Sequence, residues 1–118
     1  MDVDLTVRGA TTAIDSVTGL TLYRVTQESL ANVAKHAPDG RATVDIDIGS
    51  DRATIEVANS VRERTSASPA GGVGIVGMQE RAQAIGGDLV AGPTDSGWLV
   101  TAWLPHAHPT GAEPEGPP

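Results

Sequence analysis

Hydrophobic and polar residues alternate at the start of the chain, where Val3, Leu5 and Val7 are separated by Asp4 and Thr6. A period of two predicts a half-buried strand, turning at Gly9. The period then lengthens. At about 100° per residue, Leu22, Thr26, Ser29, Leu30, Val33 and Ala37 gather on one side of a helix, and Arg24, Glu28, Asn32 and Lys35 on the other. Asp15 or Ser16 can cap this helix, Pro38 and Gly40 stop it after about Ala37, and Gly19 is tolerable because it lies near the start. Alternation returns at Val44, Ile46 and Ile48, between Thr43, Asp45 and Asp47, and again at Ala53, Ile55 and Val57 after Gly49-Ser50-Asp51. Two such runs across a short polar turn predict an antiparallel hairpin.

The apolar pattern is lost over 60–74, which predicts a mobile loop. Val76, Ala82 and Ile85 mark a short second helix ended by Gly86-Gly87, with Met78 and Ile85 in the core, and a second hairpin joins 89–91 to 98–104 across Asp95-Ser96-Gly97. Pro105 closes the last strand, and the Pro, Gly, Ala, Glu and His of 106–118 are assigned to a disordered tail. The order of strand, helix, hairpin, loop, helix, hairpin implies one α+β domain over 1–105. It is a two-layer sandwich with both helices on one face of a mixed, mostly antiparallel sheet. A ligand site is expected between the helices and the loop.

Composition narrows this picture. With no Phe, one Tyr and two Trp among 118 residues, the core must be built from Val, Ile, Leu and Ala. A net charge of -7 disfavours a nucleic-acid partner, which requires a basic surface. The lack of cysteine excludes disulfides and thiolate metal sites. No apolar run reaches the roughly 18 residues a membrane-spanning helix needs, and no basic-then-apolar leader opens the chain. A cytoplasmic location without direct membrane contact is therefore expected of this fragment.

Two motifs carry the chemistry. Residues 22–37 contain Tyr23-Arg24, Gln27-Glu28, Asn32 and Lys35-His36-Ala37, and the second motif is Gly72-Val73-Gly74-Ile75-Val76-Gly77-Met78-Gln79-Glu80-Arg81-Ala82. Alone, a Gly-x-Gly-x-x-Gly is weak evidence, and this one does not follow a predicted strand as a dinucleotide-binding turn would. Together, in this order and spacing, the two segments resemble the N-box and glycine box of GHKL ATP-binding domains. The detail looks most like sensor histidine kinases of the nitrate-sensor and lipid-thermosensor subclass, and the resemblance covers 3–105.

That resemblance implies a Bergerat-type fold that binds ATP with Mg²⁺ and delivers the γ-phosphoryl to a histidine on a separate dimerisation domain, for relay to a response regulator. It makes Asn32 the Mg²⁺ ligand, a hard neutral oxygen suited to that ion, and gives Glu28 a water-orienting role one turn earlier. Lys35 serves either phosphate charge or only the helix C-terminal dipole. Gly72, Gly74 and Gly77 let backbone N–H groups approach phosphate, with a helix opening near Ile75 adding its positive end. Arg81 is read as a surface ion-pair residue. None of the three histidines, His36, His106 and His108, lies in a helical bundle. The isolated chain is thus expected to bind nucleotide without labelling itself, and His106-x-His108 is not read as a metal site.

The sequence departs from the family where the base is read. Relatives usually carry an Asp-x-Gly box at the end of the second strand of the first hairpin, but here the strand ends Ala58-Asn59-Ser60-Val61. An amide offers an acceptor and a donor that both suit an adenine edge, so Asn59 is expected to read adenine. Gly97-Trp98 stands where many relatives have Gly-Thr, and Trp98 is assigned to packing. Two alternatives remain. The missing Asp-x-Gly suits a degenerate nucleotide-sensing or docking module, and the Glu28-x-x-x-Asn32 helix is shared with anti-sigma-factor-type serine kinases, although residues 77–82 favour the sensor kinase.

Overall fold

The computed structural model of the chain describes residues 2–9, 14–36, 40–60, 72–95 and 97–105. The alternating segments are strands and the longer-period segments helices: β1 (Asp2–Gly9), α1 (Ser16–His36), β2 (Arg41–Ile48), β3 (Arg52–Ser60), α2 (Gly72–Ala84), β4 (Asp88–Pro93) and β5 (Gly97–Pro105). One sheet of order β1-β2-β3-β5-β4 contains all five strands. β1 and β2 are parallel, which requires the crossover that α1 provides, and the remaining pairings are antiparallel. The expected α+β sandwich and both hairpins are present. The tail over 106–118 and the loop over 61–71 lie outside the described residues.

Local chemistry sets the helix ends. The Thr18 backbone N–H donates to Asp15 Oδ1 at 2.8 Å, so Asp15 is the cap that satisfies one orphan amide of α1. The buried Thr18 hydroxyl donates to the Pro105 carbonyl at 3.0 Å and ties the start of α1 to the end of β5. Beyond α2, Gly86 has φ 90°; its N–H donates to Gln83 O at 3.0 Å, and that of Gly87 to Ala82 O at 2.8 Å. These are the two bonds of a Schellman motif, which needs a left-handed residue at this point. Gly86→Ala is therefore expected to lower unfolding free energy by about 1 kcal/mol. A urea melt should show a lower midpoint with an unchanged slope.

Val44, Ile55, Val57, Ala102 and Leu104 on the inner face of the sheet pack against Leu22 and Val25 of α1 and Met78 and Ala82 of α2. The outer face is polar and open, with Arg8 3.8 Å from Asp45 and the Arg52 guanidinium 4.6 Å from the Trp103 ring centroid.

Three features differ from expectation. β1 is exposed along its whole length, with Leu5 at 61%, although its parallel register continues the inner row of β2 through Val3↔Ala42, Leu5↔Val44 and Val7↔Ile46. Two helices about 10 Å wide cover roughly four strands spaced about 4.8 Å apart, and the fifth is left at the edge. The packing face of α1 is also turned by about 60° from the expected stripe, toward Asn32. Val25, fully buried, sits at its centre with Ser29, while Thr26 and Leu30 are only half-buried. Finally, α2 begins at Gly72 rather than near Ile75, so all three motif glycines belong to the helix.

Candidate functional site

Strand and helix directions bring the candidate residues to one end of the sheet. α1 starts beside the end of β5, through Thr18 and Pro105, and runs toward the edge where β2 begins at Arg41. At that edge Arg41 pairs with Ser60, and Ser60 with Gly97, so β3 finishes there and β5 starts there. α2 leaves from the same edge, because the strand that follows it, β4, begins at the opposite one with Asp88 beside Trp103. The helices are thus antiparallel, and a buried Ser29 hydroxyl to Met78 sulfur contact of 3.5 Å joins them. One turn from Ser29 toward the C-terminus of α1 is Asn32; one turn from Met78 toward the N-terminus of α2 is Gly74.

Asn32 is half-buried beside the packing face, and its side-chain amide has no hydrogen-bond partner among the described residues. Glu28, Lys35 and Arg24 are exposed along the same stripe and form no ion pairs among the described residues. Gly72 and Gly74 lie in the first turn of α2, whose N–H groups have no intrahelical acceptor and carry the positive end of the helix dipole. Gly77 lies deeper in the helix, and a Cβ added there would meet nothing within 4 Å. Arg81, expected in an ion pair, has none among the described residues. His36 ends α1, while His106 and His108 lie outside the described residues.

Asn59 occupies the last inner-face position of β3, following Ala53, Ile55 and Val57 in parity, and is half-buried. Directly opposite is Trp98, on the same face as buried Val100, Ala102 and Leu104. Trp98 packs against the core, as expected, and is only half-buried. Its position beside Asn59 was not recognised from sequence, though its parity with Val100 and Ala102 points that way. The two strands meet closely here because position 97 is glycine; a Cβ would collide with the Asn59 carbonyl oxygen.

Among the described residues no three His, Cys, Asp or Glu side chains gather as a metal site. The donors at the site are instead the Asn32 oxygen, the Glu28 carboxylate and the amides of the α2 first turn. That set fits Mg²⁺, which keeps several waters and takes phosphate oxygens along with one or two protein ligands. It fits a polyphosphate for the same reason, since the helix start supplies donors and the protein side chains need supply few.

No family model matches the chain. It is 32% identical over 97 residues, 82% of its length, to the signal transduction histidine-protein kinase/phosphatase UhpB of Salmonella typhimurium, and spans 19% of that protein. Among solved structures it is similar to the histidine kinase domain of the blue-light activated histidine kinase of Erythrobacter litoralis. The TM-score is 0.68 at 18% identity, covering 88% of this chain and 55% of that one. A nucleotide-free form of the catalytic domain of histidine kinase ThkA gives 0.62 at 13%, covering 90% and 81%. The fold is that of histidine kinase catalytic domains, in agreement with the resemblance carried by the two motifs. No helix among the described residues is long and apolar enough to cross a membrane.

Proposed function

We propose that this chain, which has the fold and the sequence marks of histidine kinase catalytic domains, is the ATP-binding unit of such a kinase and donates the γ-phosphoryl of Mg-ATP to a histidine on another domain. The observation that carries the reading is the convergence of Asn32, the first turn of α2 and Asn59 at one end of the helix-covered sheet face. In phosphoryl transfer the protein contributes positioning and charge stabilisation. Mg²⁺, when bound, neutralises phosphate charge and sets the geometry of the leaving group.

In this reading the Asn32 amide oxygen holds the metal, and the Glu28 carboxylate orients water or the incoming nucleophile one helical turn away. Gly72 and Gly74 open the backbone amides of α2 to phosphate oxygens, with Gly77 allowing approach from the next turn. Lys35, exposed on the stripe of Glu28 and Asn32, offsets residual phosphate charge, and Asn59 hydrogen-bonds the base. In this reading the acceptor is a histidine on a dimerisation domain of the parent kinase, and a response regulator takes the group onward.

The intact chain, mixed with [γ-³²P]ATP, Mg²⁺ and a helical phosphoacceptor domain of the same subclass, should place acid-labile, alkali-stable label on the added domain and none on itself. Acid-stable label on a serine of a partner protein would instead identify a serine kinase. Nucleotide binding without transfer to any acceptor would favour the sensing module that the Asn59-Ser60-Val61 strand end suggests.

A further inference from the structure

The base-reading end of the site has a chemistry of its own, and the inference rests on the nucleotide-binding reading above. We propose that Asn59 and Trp98 form a purine subsite that accepts guanine nucleotides as well as adenine nucleotides. The two residues are direct cross-strand partners, and the side chains of such a pair share a face. That face is the one covered by helices, at the edge where α1 ends and α2 begins. Both residues are half-buried, and among the described residues the Asn59 amide has no hydrogen-bond partner.

An amide differs from a carboxylate in what it can refuse. With the base seated as adenine would be, a carboxylate at this position only accepts: it pairs with the amino group of adenine but confronts the O6 lone pairs of guanine. The Asn59 side chain carries a carbonyl oxygen and an NH₂ group that exchange places by a half-turn about Cβ–Cγ. In one orientation Oδ1 accepts from adenine N6–H and Nδ2 donates to N1. In the other Nδ2 donates to guanine O6 and Oδ1 accepts from N1–H. Neither base leaves the amide with a repulsive contact, so the element that would reject guanine is missing.

The neighbouring indole reinforces this tolerance. Part of Trp98 packs against the core, and the rest remains accessible beside Asn59. A ring face stacks on any base, because every base presents a π surface. The close β3–β5 approach at Gly97 holds the indole and the amide in fixed register.

Titration calorimetry of the intact chain with non-hydrolysable ATP and GTP analogues, each with Mg²⁺, tests the proposal. The expected dissociation constants lie within about tenfold of one another, whereas Asn59→Asp should retain the adenine analogue and weaken the guanine analogue on the order of a hundredfold. Trp98→Thr should weaken both by roughly tenfold and leave their ratio unchanged. If the wild-type chain binds the ATP analogue and excludes the GTP analogue by a hundredfold or more, the purine subsite is wrong and the kinase reading stands. Tighter binding of both analogues by Trp98→Thr would show that the indole blocks the base and would also overturn it. Binding of neither analogue by the folded wild-type chain removes the nucleotide reading and this inference together.

Discussion

Replacing Asn32 with alanine is expected to weaken Mg²⁺-dependent ATP binding by about a hundredfold or more while leaving the domain folded. The loss follows from the metal chemistry of the site. Mg²⁺ demands near-octahedral oxygen coordination and draws few ligands from protein; even outer partners of a metal site typically contribute about 10–100-fold to affinity, and the role proposed for Asn32 is that of a direct ligand. The fold is expected to tolerate the change because the amide is half-buried and bonds to no described residue, so no buried partner is orphaned. The measurement is calorimetric titration with a non-hydrolysable ATP analogue, with Mg²⁺ and again with excess chelator. Wild type and variant should differ widely with the metal and converge without it. An equal loss in both conditions would mean that Asn32 supports the nucleotide by some route other than the metal. Gly74→Ala serves as a contrast, because crowding the α2 first turn should weaken phosphate binding whether or not metal is present.

How far the sequence discloses this arrangement depends on which physical signal each residue carries. The strands over 41–48, 52–60 and 97–105 are legible because their inner residues recur with a period of two and are nearly all buried. Alternation at Val3, Leu5 and Val7 is just as regular, yet β1 is exposed. Periodicity reports which residues share a face and does not report whether anything covers it. The α1 packing face was displaced for a related reason. Thr26 and Leu30 look like packing residues by type, but the tertiary position of α2 draws Val25 and Ser29 inward, and the Ser29–Met78 contact spans 49 positions that no local pattern connects. Asn32 is proposed from its place four residues after Glu28 in the helix that resembles the N-box, and Asn59 from its place where relatives carry Asp-x-Gly, whereas the pairing of Asn59 with Trp98 depends on β3–β5 register. The start of α2 at Gly72 was hidden because three glycines in six positions argue against a helix by intrinsic propensity. Only packing of Ile75, Met78 and Ala82 on the core overrides that preference.

Ile55→Ala should come close to unfolding the domain. Ile55 lies at the middle of β3, the central strand of the sheet, is 1% exposed, and pairs with Ile46 on one side and Ala102 on the other. A truncation of this size at a site that cannot collapse costs about 2–5 kcal/mol, against a total stability on the order of 5–15 kcal/mol for a domain. At roughly 4–8 °C per kcal/mol for a domain of this size, the melting temperature should fall by about 8–40 °C. Because Asn59 is two inner-face positions further along β3, the variant should also bind nucleotide more weakly, in proportion to the fraction folded. Added Mg-ATP analogue should recover stability as RT ln(1 + [L]/Kd). That recovery separates Ile55→Ala from Asn32→Ala, which is expected to keep wild-type stability and gain little from the ligand. Glu56→Ala, the next residue on the exposed outer face, should change stability by no more than about 0.5 kcal/mol. Equal losses at 55 and 56 would contradict the assignment of faces on β3, and with it the placement of Asn59 on the side that the helices cover.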